Sequence, residues 1–271
     1  MSFKSFLHSI QHVVAKSKVA VHIAIKLRNQ CNCIIAYHLA ETPDHHENGE
    51  LWLITQVAPE CSKFIDVGAY VGDWTECFLA YAPKNCYGLV FEPIESAFRQ
   101  VENKFKNNSK LSLLQSACSD FVGEAMFYDI YPMQSSSLGK QKDNSGIAKT
   151  VKVSTLDQEI KSTDWEYIDF LKIDCEGYDL HVLRGGGEML EQQKIGIIQF
   201  EYGEFWSSSG STLSACFQLL SSCQYEIFLL GKNSLLEFNY EIYGEYFRYS
   251  NFVAISKNRI DKYRYLIKGA A

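Results

Sequence analysis

Short apolar runs with a β-branched bias alternate along the chain with stretches of helical spacing. The first run, residues 64–67, is followed by Gly68 and Gly72 and then by a predicted helix over residues 73–82. Further strands are predicted at residues 86–91, 111–117, 170–173 and 195–200, and a second helix over residues 95–106. This alternation predicts a parallel sheet with helices on both faces, in which ligands bind beyond the carboxyl ends of the strands.

Two segments depart from this alternation. Residues 119–156 have alternating apolar positions on either side of a serine-, lysine- and glycine-rich stretch, which predicts a β-hairpin insertion with a long loop. Residues 1–40 have apolar positions near helical spacing, which predicts one or two amphipathic helices. A polar loop follows at residues 41–50, so we predict an N-terminal helical extension (1–50) and a main domain (51–271).

The charge of the chain is unevenly distributed. The first 40 residues hold Lys4, Lys16, Lys18, Lys26 and Arg28 and no acidic residue, so they carry +5, while the whole chain carries −6. No uncharged apolar stretch there is long enough to span a bilayer. Two interpretations stay open for this segment: a cap packed on the main domain, or a basic helix resting on an anionic membrane or a partner.

Composition excludes several classes of protein. The main body has no long basic run, so a nucleic acid is not the expected partner. The nine cysteines are odd in number and contain no Cys-x-x-Cys pair, which favours buried free thiols in a reducing compartment, the cytoplasm, over disulfides or a zinc site. No set of tightly spaced metal ligands is present, so no metal ligands are predicted, while the carboxylates described below leave a divalent ion open as an alternative.

The first strand, its glycine turn and the following helix are typical of a site for a nucleotide-like cofactor. Glycine lets the backbone approach a ligand closely, and the helix directs N–H groups toward it. Glu92 lies 20 residues after Gly72, at the end of the second strand. An acidic residue at that point can accept hydrogen bonds from both hydroxyls of a ribose.

Carboxylates follow four predicted strands. Asp66, Glu92, Asp174 with Glu176, and Glu201 are all placed at the carboxyl edge of the sheet. A crevice so acidic would repel the pyrophosphate of NAD, whereas it would attract a cofactor that bears a sulfonium and an ammonium group. S-adenosylmethionine is such a cofactor.

Five segments together resemble the FkbM-type methyltransferases in order and spacing. They are Phe-Ile-Asp-Val-Gly-Ala-Tyr-Val-Gly (64–72), Phe-Glu-Pro (91–93), Ala-Cys-Ser-Asp-x-x-Gly (117–123), Ser-Thr-Leu-Asp (154–157) and Leu-Lys-Ile-Asp-Cys-Glu-Gly (171–177). The resemblance runs from about residue 64 to residue 255. The sequence departs from the family at Tyr70, where the family usually has asparagine.

The resemblance implies a class-I, Rossmann-like methyltransferase with a seven-stranded, mostly parallel sheet whose last strand is antiparallel. The C-terminal part of the chain fits this fold, because a helix is predicted over residues 211–220 and strands over residues 225–230 and 252–256. The implied reaction is O-methylation of a hydroxyl on a sugar, glycolipid or polyketide-like acceptor, a small molecule or a glycan.

The resemblance also implies roles for individual residues. The methionine portion of the cofactor would contact the loop that contains Asp66, Gly68, Ala69, Tyr70, Val71 and Gly72, with Thr75 after it. Glu92 would bind the ribose, Pro93 and Ile94 one face of the adenine, and Ala117, Cys118, Ser119 and Asp120 the other face. Asp174 would lie near the reactive methyl group.

Four residues are candidates for the general base: Asp174, Glu176, His181 and Glu201. Other interpretations stay open for two of them, because Glu176 could brace the turn through backbone N–H groups and His181 could be a surface or packing residue. Two other functions also stay open: a catalytically silent scaffold of the same fold, and an NAD-dependent oxidoreductase.

Overall fold

The computed structural model describes residues 3–39, 47–129, 137–138 and 147–268. The chain divides into two compact units, residues 1–41 and 42–271. In the first unit α1 covers Phe3–Val14 and α2 covers Lys18–His38, as the apolar spacing predicts. In the described part of the chain, no helix has the length and the apolar character that crossing a membrane requires.

The second unit alternates strands and helices as the sequence predicts. Its helices are α3 (Glu50–Val57), α4 (Asp73–Tyr81), α5 (Glu95–Phe105), α6 (Leu156–Lys161), α7 (Asp179–Gly185), α8 (Gly187–Glu191), α9 (Leu213–Ser222), α10 (Tyr240–Tyr243) and α11 (Ile260–Tyr263). Its strands are β1 (Lys63–Val67), β2 (Tyr87–Phe91), β3 (Leu111–Leu114), β4 (Ala117–Cys118), β5 (Gly123–Asp129), β6 (Ser137–Leu138), β7 (Ile147–Ser154), β8 (Ile168–Ile173), β9 (Ile195–Tyr202), β10 (Tyr225–Gly231), β11 (Ser234–Glu237) and β12 (Ser250–Ser256).

The large sheet has the order β11-β10-β12-β9-β8-β1-β2-β3. The pairs β8–β9, β8–β1, β1–β2 and β2–β3 are parallel, while β12 runs antiparallel to both of its neighbours. The predicted mostly parallel sheet with an antiparallel last strand is therefore confirmed.

The predicted number of strands is wrong, since the described residues form eight strands in this sheet and not seven. The additional strand, β11, pairs antiparallel with β10, and its first residue, Ser234, lies opposite Gly231. The two residues between them, Lys232 and Asn233, make a tight turn, so the extra strand is the second half of a β-hairpin.

The predicted insertion forms a second sheet with the order β4-β7-β5-β6. Strands β5 and β7 are antiparallel over their whole length, from Gly123 opposite Val153 to Asp129 opposite Ile147. The hairpin prediction is therefore confirmed, and most of the predicted long loop lies outside the described residues.

The hydrophobic core surrounds the central strands of the large sheet. Phe64 of β1, Phe78 of α4 and Phe170 of β8 are fully buried, and the ring centroid of Phe78 lies 4.7 Å from that of Phe64 and 5.6 Å from that of Phe170. Leu180 and Leu183 of α7 are also fully buried. Because these strands are buried on both faces, their carboxyl ends are held rigidly, and the candidate site lies at those ends.

Candidate active site

Residues 68–72, here called the glycine loop, fold tightly over the ends of the central strands. Gly68 has φ +86°, and a Cβ at this position would lie 1.9 Å from the carbonyl oxygen of Asp174. The backbone N–H groups of Gly68 and Ala69 both donate to the carbonyl of Phe91, at 3.1 and 3.0 Å. The loop thus joins the ends of β1, β2 and β8, and only glycine permits the close approach at position 68.

Glu92 fixes the glycine loop to the end of β2. Its buried carboxylate accepts hydrogen bonds from the N–H of Tyr70, at 2.8 Å, and from the N–H of Ile94, at 2.7 Å. A carboxylate has about four acceptor positions, so these two bonds alone do not prevent it from binding hydroxyl groups. The predicted contact with a ribose stays a prediction.

The structure brings together the residues predicted to lie on the two faces of an adenine. Ile94 and Ala117 belong to one buried apolar cluster, whose other members are Ala97, Phe127, Val151 and Val153. Pro93 is half-buried, Cys118 and Ser119 are buried, and Asp120 is partly exposed. The N–H of Ser119 donates to the carbonyl of Ser154 at 2.9 Å, so this segment is held by the second sheet.

Asp66 and Thr75 are fully buried, and the hydroxyl of Thr75 donates to the Asp66 carboxylate. Burial raises the pKa of Asp66, while Lys172 and the Thr75 hydroxyl oppose that rise. Their position favours a role in holding the loop and α4 in place, and a direct contact with a cofactor stays a prediction.

Lys172 is the main residue of the site that the sequence interpretation missed. It is 4% exposed, and its Nζ lies 3.1 Å from Asp174 Oδ2, 3.7 Å from Asp66 Oδ1 and 5.6 Å from the ring centroid of Trp74. The crevice is therefore not uniformly acidic, because a buried cation compensates two of its carboxylates. A lysine inside the apolar run 170–173 was the available signal, since a buried cation needs a carboxylate partner.

Three carboxyl groups that lie at or after the ends of β8 and β9 have raised pKa values. Burial raises the pKa of Glu176 to about 8, and the charges of Asp174 and Asp179 act in the same direction. Burial raises the pKa of Asp179 to about 7 and that of Glu201 well above its ordinary value. At neutral pH this group therefore carries less negative charge than its composition indicates, and it holds protons that can be exchanged.

Glu176 and Asp179 each have an unusual local structure. Glu176 has φ +50°, a conformation that a residue with a side chain rarely adopts. Among the described residues, the carboxyl oxygens of Asp179 make no hydrogen bond of good geometry, although backbone groups of Asp179, Glu201 and Gly177 lie close enough to lower its pKa. Asp179 was not predicted as a site residue, and its place in the first turn of α7 gave no signal beyond that of an ordinary helix start.

Both ring nitrogens of His181 are engaged. Nδ1 lies 3.0 Å from Asp120 Oδ2, and Nε2 lies 3.3 Å from the carbonyl oxygen of Ser209. Both ring nitrogens therefore already have a partner within the protein. His181 joins two loops, and its predicted catalytic role stays a prediction.

A second buried polar group lies in the same unit. Glu50, at the start of α3, accepts hydrogen bonds from the side-chain amides of Asn48 and Gln199, and Asn48 also donates to the hydroxyl of Tyr249 at 3.1 Å. Gln199 lies opposite Lys172 in the sheet. Burial lowers the pKa of Lys172, but the charges of Asp174 and Asp66, and then that of Glu50, raise it. Among the described residues, no group of three or more His, Cys, Asp or Glu side chains is placed to hold a metal ion.

Comparison with protein families gives one match. The model of the methyltransferase FkbM domain matches residues 66–227, which is more than half of the chain. The match covers the glycine loop, Glu92, the insertion and the segment from Lys172 to Glu201. A comparison with curated proteins finds no match.

Solved structures of low identity share parts of the fold. A methyltransferase FkbM from Methylobacillus flagellatus KT is 15% identical with a TM-score of 0.46, covering 71% of this chain, which spans 43% of that one. An O-methyltransferase from Bacillus cereus in complex with SAH is 13% identical with a TM-score of 0.42, covering 92% of this chain and 97% of its own. An rRNA methylase from Streptococcus thermophilus is 11% identical with a TM-score of 0.43, covering 76% and 93%.

These similarities are too weak to carry an argument about function, so the assignment rests on the family model and on the sequence segments that agree with it. The chain belongs to the FkbM-domain methyltransferases, whose methyl donor is S-adenosylmethionine.

Proposed function

We propose that this methyltransferase methylates a hydroxyl oxygen of a sugar, glycolipid or polyketide-like acceptor. The observation that supports the proposal is the carboxyl group of Glu176, which follows the same sheet edge as the glycine loop and has a pKa raised to about 8. A hydroxyl loses its proton as its oxygen attacks, and a base with a pKa near the working pH is the most effective acceptor of that proton. A methyl acceptor without a proton to lose would not need such a group.

The glycine loop and Glu92 fit S-adenosylmethionine in two respects. Gly68 has a left-handed backbone and no side chain, so the loop can pass close to the Asp174 carbonyl. Glu92 is fixed by two backbone N–H groups, so its carboxylate is already oriented before a ribose binds. When bound, the cofactor supplies a methyl group on a sulfonium, from which a neutral thioether leaves.

We assign the other predicted contacts as the resemblance implies. The methionine portion would be held by the glycine loop, above Asp66 and Thr75, and the adenine by two short segments, Pro93–Ile94 and Ala117–Asp120. Asp174 would lie near the reactive methyl group. Lys172 contacts Asp174 and would hold its carboxylate in place, where a negative charge attracts the positive charge of the donor.

Among the four predicted bases, we assign the proton transfer to Glu176. The carboxylate of Asp174 is engaged by Lys172, and both nitrogens of His181 are engaged by acceptors. Burial raises the pKa of Glu201 well above its ordinary value, and the charge of Asp174 adds to that rise. We prefer Glu176 because its pKa of about 8 lies near the working pH. Placement of the acceptor oxygen in line with the methyl group can supply ~7–11 kcal/mol of the barrier, and the base adds about 10²–10⁴-fold.

Calorimetry with S-adenosylhomocysteine tests the cofactor assignment. Truncation of a carboxylate that makes two hydrogen bonds costs ~2–5 kcal/mol of binding, so Glu92→Ala is expected to weaken binding by well over tenfold. Glu102→Ala, which removes an exposed carboxylate from α5, is the matched control and should bind as the wild type does. An unchanged affinity of Glu92→Ala, with an unchanged melting profile, would remove the ribose assignment.

A screen of acceptors with a radiolabelled methyl donor tests the acceptor class. Transfer of label to a hydroxyl of a sugar, glycolipid or polyketide-like compound, and its loss in Glu176→Gln, is the expected result. Label found only on a nitrogen, sulfur or carbon atom would contradict the proposal. Thermal shift with NADH and with S-adenosylhomocysteine separates it from an oxidoreductase, because only the latter ligand should raise the melting temperature.

A further inference from the structure

The first helix of the chain presents an apolar face to solvent. Phe6, Leu7, Ile10, Val13 and Val14 follow helical spacing along α1, and all of them are exposed, Phe6 by 55% and Val13 by 68%. The positions between them are polar: Ser5, His8, Ser9, Gln11 and His12. A helix of this kind is strongly amphipathic, and an exposed apolar face of this size is typical of a surface that something covers.

The second helix extends the exposed apolar surface. Val19, Ile23 and Leu27 are spaced by one turn of α2, and Val19 and Leu27 are 71% and 62% exposed. As stated above, no described helix can span a bilayer. The exposed face therefore suits an element that lies along a surface and does not cross it.

The charge of this segment indicates what kind of surface would match the two helices. Lys4, Lys16, Lys18, Lys26 and Arg28 are distributed over both helices and the turn between them, and no aspartate or glutamate occurs before Glu41. The cations therefore have no carboxylate within the segment to pair with. Their charge adds up over the length of both helices, which matches a continuous anionic surface.

We propose that residues 3–39 bind the surface of an anionic lipid bilayer, with the apolar face of α1 inserted among the acyl chains near the headgroups. Lysine and arginine stems pack along an apolar surface while their charged ends stay in water, so the five cations can contact lipid phosphates without lifting the apolar face. A protein partner would require an acidic groove of matching shape, and a second copy of this segment would bring +5 against +5. The observations therefore favour the bilayer. This inference does not rest on the proposed methyl acceptor.

Sedimentation of the full-length protein with lipid vesicles tests the proposal. The expected result is binding to vesicles of equimolar phosphatidylcholine and phosphatidylglycerol, little binding to vesicles of phosphatidylcholine alone, and release of the protein as salt concentration rises. Equal binding to both kinds of vesicle, or no binding to the anionic ones, would overturn it.

Two double variants separate the contributions of charge and apolar surface. Lys16→Gln with Lys18→Gln should weaken binding by about 25-fold, because each cation near an anionic surface is worth about fivefold. Phe6→Ser with Ile10→Ser should weaken vesicle binding by about a hundredfold or more, because two apolar side chains that would be buried in the bilayer are lost. All four positions are exposed, so circular dichroism and the melting temperature should stay unchanged.

The matched control removes the same charge from the other unit. Lys84→Gln with Lys257→Gln alters two exposed lysines of residues 42–271 and should bind vesicles as the wild type does. If the control and Lys16→Gln with Lys18→Gln lose the same affinity, net charge alone drives binding and the proposal is wrong. If light scattering finds an oligomer that Phe6→Ser with Ile10→Ser dissociates, while vesicles do not bind, a second copy covers the face and the proposal is also wrong.

Discussion

Tyr70 shows what a single departure from the family pattern means physically. It has φ +50° and is 48% exposed, so it occupies the left-handed region without a packing partner that requires tyrosine. Asparagine and glycine adopt that region more readily than other residues do. The usual asparagine of the family is therefore explained by the backbone of the glycine loop. The loop keeps its fold with tyrosine because Glu92 and Phe91 hold it through backbone atoms.

Tyr70→Asn is expected to increase the free energy of unfolding by about 1 kcal/mol, because it relieves an unfavourable backbone conformation. Urea denaturation measures the change. Tyr81→Asn is the control: Tyr81 is 44% exposed but lies in the helical conformation of α4, where asparagine brings no relief. A stability gain of equal size in both variants would show that the backbone at position 70 is not the cause.

At the scale of elements, strand β8 carries the buried cation Lys172 next to its carboxyl end. Lys172 lies between Asp66 of β1 and Gln199 of β9 in the register of the sheet. Strand pairing therefore sets its position. Its charge is neutralised by Asp66 of the neighbouring strand and by Asp174, which directly follows β8. The sequence alone showed these carboxylates and the lysine, but it did not show which side chains share a face of the sheet near the ligand edge.

Lys172→Met is expected to destabilise the protein by about 3–5 kcal/mol, because it leaves buried carboxylates without their partner. Thermal and urea unfolding measure the loss. Lys161→Met provides the comparison, since Lys161 and Glu188 form an exposed ion pair that is worth about 0–1 kcal/mol. Similar losses in the two variants would mean that the Lys172 contacts contribute no more than a surface pair.

Element prediction from the sequence succeeded where apolar runs were long and failed where they were short. Strands β1, β2, β8 and β9 were predicted because each is a run of buried apolar residues. Strand β11 has only four residues, and two of them are polar, so its pattern could not be distinguished from a loop. The second sheet was predicted as a hairpin, while the pairing of β4 with β7 depends on a contact between distant segments that spacing does not reveal.

At the scale of the whole molecule, the carboxyl groups at the carboxyl ends of the strands make the stability of the fold depend on pH. The pKa of Glu176 is raised from 4.5 to about 8 in the folded protein. The folded state therefore binds more protons than the unfolded state between these values, and the stability that this carboxyl contributes is present below pH 4.5 and lost as pH rises through 8.

Glu176→Gln removes this proton binding, so its stability relative to the wild type is expected to rise with pH. The gain should be small at about pH 5 and on the order of 3 kcal/mol at about pH 9. Urea denaturation at both pH values measures it, and Glu102→Gln, at an exposed position of α5, should show no such trend. A constant difference between Glu176→Gln and the wild type would contradict the raised pKa.

The sequence interpretation of the charge at the strand ends was incomplete. Asp66 and Glu201 are the next-to-last residues of β1 and β9, and Glu92, Asp174 and Glu176 come one to three residues after β2 and β8. Their number indicated a strongly negative rim, but buried carboxyls take up protons and Lys172 offsets two of them. Protonation depends on burial, and burial is a property of the folded chain that a count of charges does not contain.

The hairpin formed by β10 and β11 has a consequence for behaviour at high concentration. It ends the sheet in a strand of four residues, and the N–H of Lys268 donates to the carbonyl of Leu235 at 2.9 Å. The C-terminal residues thereby pair with part of β11, the outermost strand. Few backbone groups of β11 are left on which another molecule could add a strand. Removal of Ile267 and Lys268 would expose that ladder, and such a truncated protein is the form in which fibrous aggregation should begin.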